Sequence, residues 1–428
     1  MRGSHPWLVL TVALGCARTA PPPQPQPQPA PRAEPVDTGV PPDSPLLEPA
    51  PAPAPVSRLY APVRLAFVGD INLGTETLPD GVPPDSGRGL LERARPSLVG
   101  DLVVGNFEGV LADTGSSTKC LAPPARRGTR TEPVKARGPK PQPATRPNCY
   151  AFRTPTMLAP RLVEAGFTHM NLANNHANDL GPAGRESTDE ALLALGVRLY
   201  GPLGQISVDT VRRGESLTTV ALVGFATYPY AYNLLDIERS AAVVDSIRPG
   251  VDLLLVTFHG GTEGINALHT SEAAESLGRE PRGDLRRWAR AVIDAGADAV
   301  IGHGPHVLRG MEFYRDRLIA YSLGNFATYR GFNVSGPRGI TAVLQLEFSE
   351  ERRLQIARLV PMMQLPRQGP FPDPDSAAIS LVQRLSAEDF GASAAVITRS
   401  GEILMPTQGK ERDRRIPTIH PGPPQRPE

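Results

Sequence analysis

Residues 297–326, ADAVIGHGPHVLRGMEFYRDRLIAYSLGNF, begin with a short apolar segment that runs directly into a turn carrying His303 and His306. Before this stretch, apolar residues recur at helical spacing over 285–293 and Gly296 follows, which predicts a helix that ends at a glycine. The pattern is therefore helix, buried strand and turn. Residues three apart on an extended turn can direct both imidazoles at one point, and the neighbouring glycines let the backbone approach closely. The two histidines are either ligands of a metal ion or a chance pair.

The same arrangement recurs along the chain. Apolar segments at 63–68, 102–104, 170–172 and 253–256 each run into a turn that contains Gly, Asp, Asn, His or Glu. Open α/β sheets place their binding sites beyond the carboxyl ends of the strands, so these turns are predicted to lie along one rim of the fold. The polar residues of this predicted rim are Asp70, Asn72, Asn106, Glu108, Asn175, His176, His259, Glu263, His303 and His306.

Each rim residue also has a purely structural explanation. Asp70 follows a strand and could cap a helix, and Asn175 could hold a turn. Five polar turns at the same place relative to their strands nevertheless favour a functional rim over a chance arrangement.

The residue types of the rim indicate metal chemistry. Carboxylates, amide oxygens and imidazoles together suit borderline divalent ions such as Mn, Fe or Zn. Two such ions could stabilise both the attacking and the leaving oxygen of a displacement at phosphorus. His176 stands beside Asn175 and could protonate the leaving group, with Asp179 orienting its ring. The sequence contains no nucleophile elbow, no P-loop and no dinucleotide fingerprint.

The last part of the predicted core has a different pattern. Apolar and polar residues alternate over 340–348, and the segment 354–360 is predicted to pair back onto that strand across a polar turn. Parallel strand–helix units with an added antiparallel hairpin indicate a layered sheet sandwich flanked by helices.

Composition divides the 428-residue chain into a head and two tails. The 45 basic and 44 acidic residues give a net charge of +1, which does not favour nucleic acid as a partner. We predict a Pro-rich disordered linker at 17–58, a folded domain at 59–366 and a largely disordered tail at 367–428, in which 379–385 could form a short helix. Residues 1–16 resemble a bacterial lipoprotein signal that ends at a lipidated Cys16. An ordinary signal peptide, or a soluble N-terminus with a chance cysteine, is the alternative.

Two further cysteines flank a basic insertion. If the head lies in an oxidising compartment, Cys120 and Cys149 are expected to form a disulfide that closes the loop 121–148. The insertion as a whole covers 113–150 and is rich in Arg, Lys and Pro. It is either a solvated, disordered loop, which we favour, or a binding patch.

Six sequence blocks follow one another along the predicted domain: Gly69-Asp70, Asn106-Phe107-Glu108-Gly109, Asn171 to His176 with Asp179 and Gly181, His259 to Glu263, Gly302 to Val307, and Tyr321 to Phe326. Together they resemble the CapA family of poly-γ-glutamate capsule biosynthesis proteins, which is related to the calcineurin-like metallophosphoesterases. The resemblance implies an α/β fold, a four-layer metallophosphoesterase-like sandwich of two β-sheets flanked by helices. It also implies metal ligands at Asp70, Glu108, Asn175, His259, His303 and His306, with His176 as the proton donor.

Two rim positions differ from the phosphoesterase pattern. Asn72 stands where that pattern has a histidine, and Asn106 stands where it has an aspartate, so that Glu108 is left to supply the carboxylate. Each asparagine weakens one metal position. The site is therefore expected to hold either a single ion or two ions with unequal affinity.

The resemblance implies two alternative functions for an extracytoplasmic, membrane-anchored lipoprotein. In the first, the head is a metal-dependent phosphoesterase-like hydrolase or transfer enzyme that acts on an envelope polymer or a phosphorylated small molecule. In the second, it is a non-catalytic accessory of polymer binding and export. Membrane synthase components are the protein partners that the family implies.

Overall fold

The computed structural model describes residues 59–117, 119–120 and 150–406. These described residues all fall in one compact unit. The predictions for Cys16, for the linker, for the loop 121–148 and for Cys149 lie outside the described residues. None of the helices formed by the described residues is long and apolar enough to cross a membrane.

The described residues form nineteen strands, five α-helices and six short 3₁₀ segments. The strands are β1 (Val63–Asn72), β2 (Leu102–Phe107), β3 (His169–Asn171), β4 (Arg198–Tyr200), β5 (Ser207–Arg213), β6 (Ser216–Ala226), β7 (Tyr232–Asn233), β8 (Leu253–His259), β9 (Glu275–Leu277), β10 (Glu280–Gly283), β11 (Ala299–His303), β12 (Met311–Tyr314), β13 (Arg317–Ala320), β14 (Asn325–Thr328), β15 (Ile340–Phe348), β16 (Leu354–Met363), β17 (Phe371–Pro372), β18 (Val396–Ile397) and β19 (Ile403–Leu404). The helices are α1 (Pro160–Ala165), α2 (Gly181–Leu193), α3 (Ile237–Ile247), α4 (Leu285–Asp294) and α5 (Ala377–Phe390). The 3₁₀ segments are Asp85–Gly87, Arg95–Ser97, Thr156–Leu158, Arg248–Gly250, Gly336–Gly339 and Gly391–Ser393.

The first large sheet has the strand order β17-β16-β15-β1-β2-β3-β4, and β14 pairs with the end of β1. Strands β1 to β4 are parallel, whereas β15 runs antiparallel to β1 and pairs along its length with β16. The predicted hairpin over 340–360 is therefore present. The hairpin of β15 and β16 extends the sheet beyond β1, on the side opposite to β2.

The second large sheet has the order β12-β13-β11-β8-β6-β5, with β7 beside β6. Its central strands β13, β11, β8 and β6 are parallel, and the edge strands β12 and β5 are antiparallel to their neighbours. The carboxyl ends of β6, β8 and β11 therefore lie along one edge of this sheet.

Three hydrophobic cores define four layers. Alternate residues of β1, such as Leu65 and Phe67, lie in the same buried cluster as Leu255 of β8, so the two sheets pack face to face. The other face of β1, including Ala66, packs under α1 and α2. The outer face of the second sheet packs under α3 and α4, where Trp288 is fully buried. The predicted four-layer sandwich of two sheets flanked by helices is confirmed.

Part of the predicted C-terminal tail is folded, which differs from the largely disordered tail expected over 367–428. Helix α5 buries Ala378, Ile379 and Val382 in the core between the sheets. Strands β18 and β19 form a small antiparallel pair after the helix. The short helix considered at 379–385 is present and longer than expected. The high Pro and Arg content of the region suggested disorder around it, but α5 presents enough apolar surface to pack against the sandwich. The last residues, 407–428, lie outside the described part.

Candidate metal centre

The carboxyl ends of strands from both sheets meet at one rim. Asp70 is paired with Asn106 across β1 and β2, and His259 is paired with His303 across β8 and β11. The backbone packs closely here, because a Cβ atom at Gly69 would lie 1.9 Å from the carbonyl oxygen of Gly324. Only glycine fits at that position, and it lets β1 carry Asp70 to the rim.

Short distances join the two sets of side chains. His306 Nδ1 lies 3.1 Å from Asp70 Oδ2, and His303 Nδ1 lies 3.5 Å from Asp70 Oδ1. Glu108 Oε1 lies 3.7 Å from Nε2 of both His259 and His306. One ligand atom from each of Asp70, Glu108 and His306 falls within 4.8 Å of the others, which is close enough to share one metal ion.

Several of these side chains present buried polar atoms that make no hydrogen bond in the protein. A buried polar atom without a partner costs about 1–3 kcal/mol, so such a group of atoms needs an explanation. A divalent cation supplies one, because carboxylate oxygens, an amide oxygen and imidazole nitrogens are its ordinary ligands. The rim atoms that make no hydrogen bond and no ionic contact shorter than 3.7 Å are Glu108 Oε1 and Oε2, Asn175 Oδ1 and His259 Nε2. Asp70 Oδ2 and His303 Nδ1 also lack a well-formed hydrogen bond, although each lies close to a group of opposite charge type, at 3.1 Å and 3.5 Å.

The electrostatics of the group follow from burial and from the short contacts. Burial raises the pKa of Glu108 well above its usual range and lowers the pKa of His259 well below its usual range. At Asp70, burial is outweighed by His303 and His306, which lower the pKa of the carboxyl. At His306, burial is outweighed by the carboxylates of Glu108 and Asp70, which raise the pKa to about 10. A cation would therefore compete with protons for these atoms.

The conformation of His306 is fixed by a left-handed backbone and by the side-chain amide of Asn325. His306 has a φ of 59°, a conformation that costs a non-glycine residue on the order of 1–3 kcal/mol. Its Nδ1 lies 2.9 Å from Asn325 Oδ1, and the Asn325 amide donates to the His306 carbonyl at 3.2 Å. With Nδ1 donating to Asn325, Nε2 is the ring nitrogen that remains for a cation.

His176 and Asp179 form a separate buried pair beside the candidate metal ligands. His176 Nδ1 donates to Asp179 Oδ2 at 2.6 Å, and the same oxygen accepts the Phe152 backbone N–H at 2.8 Å. The Phe152 ring packs against the imidazole with a centroid separation of 4.4 Å. Burial lowers the pKa of His176. Because Nδ1 is committed to Asp179, Nε2 is the atom available for proton transfer.

Three further rim residues that the sequence singled out, Asn72, Asn106 and Glu263, have protein partners instead. Asn72 Nδ2 donates to the Glu108 carbonyl at 3.0 Å, and its Oδ1 accepts from the backbone of Gly74. Glu263 accepts from the buried Arg282 at 2.9 Å. Asn106 donates to Asp70 and accepts from Asn171 and Asn174. These three side chains shape and orient the rim.

Sequence reasoning assigned no role to four residues that the structure places at the site. Asn171 and Asn174 orient Asn106, Asn325 orients His306, and Lys119 contacts Asp179. The asparagines stood inside the quoted sequence blocks, so a search for amides near each ligand would have found them. Lys119 lies in the insertion and carried no such signal.

Comparisons with known proteins agree on one family. A family model described as "Bacterial capsule synthesis protein PGA_cap" matches residues 64–330. The "Capsule biosynthesis protein CapA" of Bacillus anthracis is 32% identical over 175 residues, which are 40% of this chain and 42% of that protein. The "PGA biosynthesis protein CapA" of Bacillus subtilis is 31% identical over 185 residues, which are 40% of this chain and 45% of that protein. The chain thus spans less than half the length of both relatives.

A solved structure described as a 5'-nucleotidase precursor from Thermus thermophilus also aligns with the chain. It is 14% identical, has a TM-score of 0.35, and the alignment covers 76% of this chain and 59% of that one.

Proposed function

Because the chain belongs to the bacterial capsule synthesis protein PGA_cap family, as its resemblance to CapA proteins predicted, we propose that it acts in the synthesis of an envelope polymer. Its centre would carry out metal-dependent hydrolysis or transfer on that polymer or on a phosphorylated intermediate. The observation that supports this proposal is the set of buried rim atoms without protein partners.

The residues that would hold the ion are Asp70, Glu108, Asn175, His259, His303 and His306. A bound ion of the Mn, Fe or Zn type would act as a Lewis acid toward a phosphoryl or carbonyl oxygen. Asn106 already occupies Asp70 Oδ1 with a hydrogen bond of 2.8 Å, which leaves that carboxylate less able to bridge two ions. We therefore propose one tightly held ion, with any second ion bound more weakly.

The chain's own acid–base group in this mechanism is His176. Asp179 and the Phe152 backbone fix the orientation of the pair, and His176, in its imidazolium form with both ring nitrogens protonated, would pass the Nε2 proton to the leaving oxygen. The aromatic ring of Phe152 covers the imidazole and limits its access to water.

The proposed place of action is outside the cytoplasm. Cys120 is disulfide-bonded, and structural disulfides persist in oxidising compartments. A lipid anchor at Cys16 would hold the head at a membrane through the Pro-rich linker. Synthase components in that membrane, with the polymer itself, are the proposed partners.

A second candidate function is a non-catalytic accessory of polymer binding and export. The engagement of Asn72 and Asn106 in hydrogen bonds supports it, because the ligands of a second, weaker ion are then missing. In this alternative the bound ion would tie the two sheets together at their rim without turnover.

Metal analysis of the purified full chain, joined to an assay with bis(p-nitrophenyl) phosphate in added Mn, tests the proposal. We expect about one tightly bound divalent ion per chain and measurable hydrolysis. The variants Glu108→Gln and His306→Gln should lose both, while His269→Gln, an exposed histidine, should keep both. Bound metal without turnover of this substrate or of a phosphorylated polymer intermediate would favour the accessory function. Absence of metal would overturn both versions of the metal centre.

A further inference from the structure

A lysine from the basic insertion reaches the buried His176–Asp179 pair. Lys119 Nζ donates to Asp179 Oδ1 at 2.5 Å and to the Asn175 carbonyl at 2.8 Å, and it lies 3.4 Å from His176 Nδ1. The Asp179 carboxylate is buried, whereas the Lys119 side chain is 35% exposed. The lysine therefore covers the pair from the solvent side.

These contacts complete the hydrogen bonding of Asp179. Its Oδ2 atom accepts from His176 Nδ1 and from the Phe152 backbone, and its Oδ1 atom accepts from Lys119. Without the lysine, Oδ1 would be a buried carboxylate oxygen with no partner. Such an oxygen favours rotation of the carboxylate toward water, and that rotation would release the imidazole from its fixed orientation.

The position of Lys119 depends on how the insertion leaves the core. Its two stems are joined near the core, where Ala112 donates to the Thr154 carbonyl at 2.9 Å and Thr154 donates to the Val110 carbonyl at 2.8 Å. The last bond between the stems, among the described residues, runs from the Arg153 guanidinium to the Gly115 carbonyl. Lys119 lies four residues beyond that bond, where its backbone N–H reaches only Ser117 Oγ at 3.1 Å.

The residue after Lys119 restrains this part of the stem covalently. Cys120 is disulfide-bonded, so the chain is covalently tied immediately after the lysine. A cross-link reduces the conformations open to the chain around it, and at this point it would limit how far the Lys119 backbone can move from Asp179.

We propose that Lys119 is a positioning residue for His176, and that the disulfide at Cys120 holds Lys119 in place. The proposal rests on the proposed function only in what His176 does. The orientation of the His176 ring by Lys119 is a separate matter and can be measured without turnover.

Nitrogen NMR of the full chain with ¹⁵N-labelled histidine rings tests the positioning directly, with the His176 signal identified by its loss in His176→Gln. In the wild type we expect the tautomer with the proton on Nδ1. In Lys119→Met we expect a mixture of tautomers or an exchange-broadened signal. Lys119→Arg should restore the wild-type signal, and Lys135→Met, elsewhere in the insertion, should leave it unchanged. The double variant Cys120→Ser/Cys149→Ser should shift the signal in the same direction as Lys119→Met.

If the wild type hydrolyses bis(p-nitrophenyl) phosphate, Lys119→Met should lower kcat by about 10–100-fold with little change in KM, and Lys119→Arg should recover most of the loss. Circular dichroism confirms that each variant is folded. An unchanged His176 signal in folded Lys119→Met would overturn the positioning role, whatever the activity. A wild-type signal in the double cysteine variant would overturn the role of the disulfide. Absence of turnover in the wild type, with the tautomer change present, would count against the proposed activity alone.

Discussion

Asn106 donates its side-chain amide to Asp70 Oδ1 at 2.8 Å, while its own amide oxygen accepts from Asn171 at 3.0 Å and from Asn174 at 3.1 Å. The two acceptor contacts fix which way the amide points, so its nitrogen must face the carboxylate. Asn106 thus contributes a neutral donor at a position where an aspartate would be a stronger metal ligand. The Asn106 amide stabilises the Asp70 carboxylate through this hydrogen bond, and the bond does not require a bound ion.

We expect Asn106→Asp to make the fold depend on metal. A second carboxylate beside Asp70 would bury two like charges, which should lower the free energy of unfolding of the metal-free protein by on the order of 3 kcal/mol. Added Mn should recover most of that loss, because the new oxygens can bind it. Thermal unfolding with EDTA and with Mn measures both effects. Asn233→Asp, at an exposed position, is the control, and equal loss of stability with and without Mn in Asn106→Asp would contradict the prediction.

Metal removal should destabilise the wild-type protein. Free ion at a thousandfold excess over Kd stabilises a folded protein by about 4 kcal/mol, because the ion binds the folded state alone. For a domain of this size that corresponds to a fall in Tm of roughly 5–10 °C when EDTA removes the ion.

The comparison that isolates the site uses Glu108→Gln. This variant removes a carboxylate whose two oxygens lack protein partners, so its Tm should respond little to Mn or EDTA. A response equal to that of the wild type would place the bound ion elsewhere in the chain.

His176→Ala should separate proton transfer from metal binding. We expect turnover of a phosphodiester to fall by about 10²–10⁴-fold, as the loss of a general acid should cause, with the metal content unchanged. Elemental analysis and kcat of the same preparation give the two readouts. Equal rates in variant and wild type would remove the catalytic role of His176, and loss of metal would assign it to the ligand shell.

Much of the fold follows from local patterns that the sequence carries openly. Strands β1, β2, β8 and β11 carry Asp70, Asn106, His259 and His303 at or near their carboxyl ends. These strands are buried on both faces along almost their whole length, as expected for parallel strands covered on both sides. Helix α4 combines an Asp284 cap with a regular apolar face, so it could be predicted almost to its ends. The gathering of strand ends at one rim then follows from topology.

Other features depend on distances that local patterns do not encode. The contact of Lys119 with Asp179 joins residues 60 positions apart through an irregular stem. The sequence pattern predicted Asn106 as a weakened ligand, and only its side-chain contacts with Asp70, Asn171 and Asn174 identify it as a residue that holds the rim by hydrogen bonds. Helix α5 lies in a region whose prolines and arginines suggested disorder, and its burial between the sheets is a tertiary effect.

A partly buried aspartate that joins the two sheets gives a prediction about pH. His169 of β3 and Asp209 of β5 meet at 2.8 Å, and Asp209 also binds Ser207 at 2.9 Å and Arg198 at 2.9 Å. The burial of the carboxylate is outweighed by these partners, which lower the pKa of Asp209. A lowered carboxyl pKa stabilises the fold at pH values above the unfolded-state pKa of about 3.9, and that contribution disappears as the pH falls toward the folded-state pKa.

Asp209→Asn should therefore lower the free energy of unfolding in urea by about 1–3 kcal/mol at pH 7 and by less near pH 3. The control Asp245→Asn, at an exposed position, should change it little at either pH. A deficit for Asp209→Asn that is the same at both pH values would mean that the charge of Asp209 does not stabilise the contact between the sheets.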